Sequence, residues 1–276
     1  MAGVDPHLRF MTHRQPALFL GHGSPMTVIT DSPERRCLAA LGRKLERPEA
    51  IVVITAHWET NGKTRVTAHP HPHTIHDFRG FPAELHAIQY PAPGAPDLAA
   101  RIVGLLGEHR AELDHEYGLD HGVWGVLRPM FPDANIPVVA MSLDRALPAA
   151  GQVAIGRALA PLRDEGVLLV GSGNIVHNLA HWRELAGSRP EWAERFRSRI
   201  NAALLAGDER ALAHFAEGDE DAALAVNSGE HYLPLLTVFG ARLPSDGVAL
   251  FNDTLDGSLT MTSVLFGETG LLAGQS

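Results

Sequence analysis

The chain has 276 residues, of which 45% are hydrophobic and 20% charged, enough apolar material for one large globular domain. Its net charge of -9, from 23 basic against 32 acidic residues with no long block of either sign, argues against a nucleic-acid or anionic-membrane partner and for a small molecule. A single cysteine, Cys37, excludes an internal disulfide framework and thiolate zinc sites, and points to a reducing, cytoplasmic setting.

Residues 1–14 carry scattered charge and no apolar core of signal-peptide length; they are read as a flexible N-terminal tail, with the folded domain over 15–276. The apolar runs beyond are too short to span a bilayer. In chain order, short β-branched or apolar runs bounded by turn residues predict strands at 17–20, 50–55, 136–141, 167–170 and 248–251. Between them, apolar residues at three- and four-residue spacing predict helices over 33–45, 96–109, 148–163 and 192–205. This alternation implies a single three-layer α/β/α domain around a largely parallel or mixed sheet. The segment 69–96 is the least regular. It carries His69, His71, His73, His76 and His86 among many prolines and reads as a long excursion over the surface.

Histidine is in excess, 16 residues against 3 tyrosines, which invites a metal or acid-base reading. In open α/β sheets, ligands bind outside the carboxyl ends of the strands. The first predicted strand runs into His22, the second into His57, and the fourth into a Gly-Ser-Gly-Asn turn with His177 on the first turn of the following helix. Three strand ends therefore bring a histidine to one edge, and the glycines beside His22 and His177 permit close backbone approach. His231, in a loop entering a late helix, is a fourth candidate for the same edge. The alternating His69, His71 and His73 are read as surface residues, since no regular element fixes them. Trp58, Phe78 and Trp124 are either pocket lining or core.

These residues fall into motifs: Gly21-His22-Gly23-Ser24-Pro25-Met26, Thr55-Ala56-His57-Trp58-Glu59-Thr60, Asp120-His121-Gly122, Gly171-Ser172-Gly173-Asn174 with His177-Asn178-Leu179, and Glu230-His231-Tyr232-Leu233-Pro234-Leu235. Together, and in this order over nearly the whole chain, the motifs resemble the DOPA-dioxygenase-type extradiol aromatic ring-opening enzymes of the class III extradiol dioxygenases. The resemblance implies a non-haem metal, Fe(II) for catalysis with Zn(II) possible as the bound ion. It implies His22, His57 and His231 as ligands, with His177 a fourth ligand or poised beside the metal. It also implies His121 as an acid-base residue close behind the ligands. The implied substrates are a catechol-type aromatic diol and dioxygen. Asp77-Phe78 and Gly80-Phe81-Pro82 match a further family segment, with His76 standing where many relatives have tyrosine, a departure that bears on the substrate.

An all-histidine site suits Zn(II) at least as well as iron, and many non-haem iron sites use two histidines and a carboxylate, a role open to Glu230 or Glu59. Asp120, next to His121, is read as a solvated side chain. The competing functions are a zinc-dependent hydrolase and a non-enzymatic metal-binding protein. A position for His121 far from the other histidines favours the second of these.

Overall fold

The computed structural model describes residues 13–274. Its strands are β1 (Ala17–Gly21), β2 (Ala50–Thr60), β3 (Thr64–Thr67), β4 (Ala111–Asp114), β5 (Val138–Asp144), β6 (Val167–Gly173), β7 (Gly247–Phe251), β8 (Leu255–Asp256), β9 (Leu259–Thr260) and β10 (Ser263–Gly267). Eight of them form one mixed sheet in the order β4-β3-β5-β2-β6-β1-β10-β7, and β8 with β9 makes a separate hairpin. The central four, β5, β2, β6 and β1, are mutually parallel. β3 and β10 join them antiparallel on either side.

Strand alternation sends neighbouring residues to opposite faces. Ala17 and Phe19 pack with helices Pro96–Leu106, Ala149–Leu159, Glu191–Ala206 and Leu233–Gly240 on one face, while Leu18 and Leu20 pack with helices Pro33–Lys44 and His121–Met130 on the other. Both faces of the parallel strands are covered, which is why these strands read as unbroken apolar runs. The expected three-layer α/β architecture is present.

The predicted elements recur with shifted ends, and the helix expected over 148–163 closes as Ala149–Leu159 followed by a 3-10 turn, Ala160–Glu165. Four strands had no sequence signal of their own: β3 and β4 have four residues each, and the hairpin strands two each. β10 likewise has no predicted counterpart; it pairs antiparallel with β1 and β7 and links the parallel strands to the β7 edge. Most of the expected N-terminal tail, residues 1–12, lies outside the described residues. His13 and Arg14 are exposed and form ion pairs with Glu46 and Asp164.

The 69–96 excursion is less a surface strap than a folded cover. It buries Phe78, Leu85, Ile88, Tyr90 and Ala92 against the Leu18/Leu20 face. Trp124 Nε1–H donates to the Ile75 carbonyl at 2.9 Å, and His76 Nε2–H donates to the Ile88 carbonyl at 2.9 Å. His69, His71 and His73 are exposed, as expected. Among the described residues no helix is long and apolar enough to cross a membrane.

Candidate metal centre and active site

The carboxyl ends of β1 and β6 lie side by side, with Gly21 paired to Gly173, and His22 follows directly, its N–H bonded to the Gly173 carbonyl at 3.1 Å. His57 arrives differently from expectation. β2 does not stop at Thr55 but runs to Thr60, and His57 lies within the register shift between Ile54 and Glu59 on its pairing with β5. Such an irregularity re-aims a side chain at a sheet end. His177 precedes its helix, Leu179–Leu185, and sits in extended backbone bridged to Val226 and Leu259; Asn178 caps that helix. His231 lies in the turn before helix Leu233–Gly240, as expected. Gly173 makes this approach possible: a Cβ there would stand 2.1 Å from the His231 carbonyl oxygen.

Three of the four candidate ligands converge. His22, His57 and His231 offer nitrogens that all lie within 4.8 Å of one another, and His22 Nε2 stands 3.2 Å from His57 Nε2. The hydrogen bonds on the far side of each ring decide the tautomers. Ser172 Oγ–H donates to the Gly122 carbonyl at 2.6 Å, so at 3.0 Å the same oxygen accepts from His22 Nδ1–H. His57 Nδ1–H donates to Asp77 Oδ2 at 2.7 Å, and His231 Nδ1–H to Glu230 Oε1 at 2.9 Å. Each Nδ1 thus spends its proton outward, and each Nε2 turns a lone pair inward. Lone pairs 3.2 Å apart need positive charge between them, and one proton serves only one pair of the three nitrogens. Ligands about 2.0–2.1 Å from a common ion stand roughly 2.9–3.4 Å apart between octahedral and tetrahedral angles; the His22–His57 separation of 3.2 Å lies in that range, and the His231 nitrogen lies within 4.8 Å of both, a donor set that could hold a divalent metal.

The remaining site residues group around this trio. His177 does not join it but stacks flat on His231, ring centroids 3.4 Å apart and planes 7° apart. His121 lies beside it, its ring edge-on to His57 at 4.0 Å, and both its backbone N–H and its Nδ1–H donate to Asp77 Oδ1 at 2.9 Å. His121 Nε2 is therefore an acceptor. Its place next to His57 removes the ground for a purely binding role. Glu230 is engaged behind His231, and Glu59 pairs with Arg145 at 3.4 Å; neither joins the three-nitrogen group.

The electrostatics follow from burial and neighbours. Burial, then the surrounding imidazoles, holds His22 well below its ordinary pKa. Burial pulls His57 down too, but its hydrogen bond to Asp77 and the charge of Asp120 outweigh that and leave it raised. His177 falls to about 3, through burial and the adjacent His231. Burial lowers His121 and His231, with Asp77 and Glu230 respectively opposing it. Burial alone would raise Asp77, but its bonds from His121 and His57 hold it well below the carboxylate range.

One expectation is corrected. Asp120 is not solvated: it is fully buried, accepts from Thr55 Oγ1–H (2.9 Å), Tyr117 O–H (3.0 Å) and Val123 N–H (3.1 Å), and caps helix His121–Met130. The carboxylate hydrogen-bonded to His121 is that of Asp77, from the irregular excursion. The Asp77-Phe78 motif marked the position but not this contact, which depends on how the loop folds back. Of the aromatic residues, Trp124 is fully buried and Trp58 stacks on Tyr117, so both are core; Phe78 meets His121 edge-on at 5.6 Å.

Residues 16–262 match the family described as the catalytic LigB subunit of aromatic ring-opening dioxygenase. The chain is 47% identical to the 4,5-DOPA dioxygenase extradiol of Escherichia coli K12, over 92% of this chain and 95% of that one. It is 38% identical to the enzyme of the same name from Beta vulgaris, over 87% of this chain and 92% of the relative. A crystal structure of an uncharacterized protein from Escherichia coli K12 superposes with a TM-score of 0.80 at 43% identity, covering 92% of this chain and all of that chain.

Proposed function

This chain belongs to the LigB family of aromatic ring-opening dioxygenases, and we propose that it opens the ring of a catechol-type, DOPA-like diol with dioxygen at a metal held by His22, His57 and His231. The observation that carries this reading is the convergence of ring nitrogens of His22, His57 and His231, each ring having its Nδ1 hydrogen-bonded to a serine or carboxylate oxygen. The catalytic ion is Fe(II); Zn(II) fits the same nitrogens but cannot change redox state. Bound Fe(II) supplies Lewis acidity toward the diol hydroxyls and the electron transfer that activates dioxygen.

The chain's own residues handle the protons and the fit. His121, with Nδ1–H held by Asp77, presents an unprotonated Nε2 that takes a proton from a substrate hydroxyl and later returns it. His177, outside the ligand trio and neutral, is a second proton-handling group on the His231 side. Phe78 offers an apolar edge to the aromatic ring. The 69–96 cover, which supplies Asp77 and Phe78, reads the ring's substituents. The catalytic domain is taken as 15–276, acting in the cytoplasm on small molecules.

The test is anaerobic reconstitution of metal-free protein with Fe(II) or Zn(II), then exposure to air with DOPA, protocatechuate and simpler catechols. Iron-dependent dioxygen uptake with a yellow ring-opened product, abolished by His22→Ala, supports the reading. Stoichiometric metal binding without turnover of any catechol overturns it.

A further inference from the structure

The carboxylate of Asp77 is divided between two histidines that the proposed reaction uses for different purposes. Oδ2 accepts from His57 Nδ1–H at 2.7 Å, while Oδ1 accepts from both His121 Nδ1–H and the His121 backbone N–H at 2.9 Å. The two rings it joins meet edge-on at 4.0 Å. Among the described residues it is the only side chain hydrogen-bonded to either ring's Nδ1. Its segment is clamped on both sides, by the Trp124 bond to Ile75, the His76 bond to Ile88 and the burial of Phe78.

We propose that Asp77 is a shared positioning residue, a single carboxylate that sets the tautomer of the metal-binding His57 and of the proton-transferring His121 together. This rests on the preceding reading of those two histidines, but its physical core does not depend on the metal. A carboxylate is acceptor-only, so it can take an N–H from each ring at once. Both rings are then forced into the Nδ1–H form with Nε2 free, the form a ligand needs at His57 and a base needs at His121. Outer partners of this kind fix ring orientation and tautomer. An amide cannot do the same. Asn at this position offers one acceptor oxygen and one NH2 donor, so one imidazole must surrender its Nδ1 proton and carry it on Nε2 instead.

The consequence depends on which ring yields. A proton on His57 Nε2 occupies the nitrogen that faces His22 at 3.2 Å and competes with the metal. A proton on His121 Nε2 leaves the metal site intact and removes the base. Partner mutations of this kind typically cost about 10–100-fold in metal affinity or activity.

The experiment follows the histidine ring nitrogens by 15N NMR in wild type and Asp77→Asn, with and without Zn(II), alongside Zn(II) affinity by chelator competition and turnover with Fe(II). Wild type is expected to show hydrogen-bonded Nδ1–H signals from both His57 and His121. Asp77→Asn is expected to lose one: with about 10–100-fold weaker Zn(II) binding if it is that of His57, or with lower turnover at unchanged affinity if it is that of His121. Asp77→Glu keeps two acceptor oxygens and is expected to retain both, which covers the case in which the amide variant fails to fold. Both signals persisting in folded Asp77→Asn with wild-type zinc affinity and turnover overturns the proposal, as does their joint loss in Asp77→Glu. Failure of the metal reading shows separately, as unchanged Zn(II) affinity in His22→Ala, and leaves the ring-nitrogen measurement on the metal-free protein valid.

Discussion

His177 and His231 lie face to face, with centroids 3.4 Å apart and ring planes inclined by only 7°. Nitrogens bind metals in the plane of the imidazole, so two rings stacked this closely do not aim in-plane lone pairs at one common point. Of the two, His231 belongs to the trio with His22 and His57. The substitutions are therefore expected to separate. His231→Ala should lose the metal, whereas His177→Ala should bind it stoichiometrically and lose turnover by roughly 10²-fold or more, the scale of a missing proton-transfer group. Metal content by elemental analysis beside Fe(II)-dependent dioxygen uptake decides this, and equal metal loss in both variants would make His177 a ligand.

Gly173 is where the sheet and the site press most closely. Its missing Cβ leaves room for the His231 carbonyl, which a methyl would meet at 2.1 Å, and backbone on both sides cannot yield as a flexible side chain would. Gly173→Ala is expected to destabilise the fold by about 1–3 kcal/mol, the usual range for overpacking. It should also weaken metal binding by displacing His231. Thermal unfolding of metal-free protein gives the first effect and chelator competition the second; a variant unchanged in both would show that the strand end is looser than the structure has it.

How far the sequence disclosed this site depended on the kind of feature. His22 and His231 were legible because a regular element next to a turn fixes their backbone, and periodicity reports regular elements. His57 was found for a partly different reason than the true one: its strand continues past it, and a register shift rather than a strand end turns it inward. Short strands such as β3 escaped because four residues carry too little pattern to separate from loop. Asp77 was invisible as an orienting group, since a contact between residues 77 and 121 is made by tertiary folding of an irregular segment. Asp120 misled for the opposite reason. A charged side chain beside a histidine reads as exposed until its three buried donors are seen.

Asp120 therefore makes a stability prediction. Its removal uncaps helix His121–Met130 and strands the Thr55 and Tyr117 hydroxyls and the Val123 N–H in a buried setting. A lost cap costs about 1 kcal/mol and each stranded buried donor about 1–3 kcal/mol before relaxation. Asp120→Ala is expected to lower stability by at least about 2 kcal/mol in denaturant titration. A surface carboxylate would give a change near zero, so the measurement distinguishes the buried position from the solvated one.

Cys37, on helix Pro33–Lys44, gives a pH prediction away from the candidate metal centre. Burial, aided by the nearby charge of Glu34, pushes its thiol up to about 11. Only the thiolate is nucleophilic, so at pH 8 roughly one molecule in a thousand carries the reactive form. Alkylation of the folded protein is expected to be slow at pH 8, to rise about tenfold per pH unit, and to level off only near the folded-state pKa. The sign of the linked stability is fixed as well: the folded pKa lies above that of the unfolded thiol, so the contribution is complete below the unfolded value and is lost as pH rises through the folded one. Iodoacetamide kinetics on native and urea-unfolded protein across pH 7 to 11 test this. A native rate matching the unfolded rate at pH 8 would place Cys37 in a far more open environment than its helix provides.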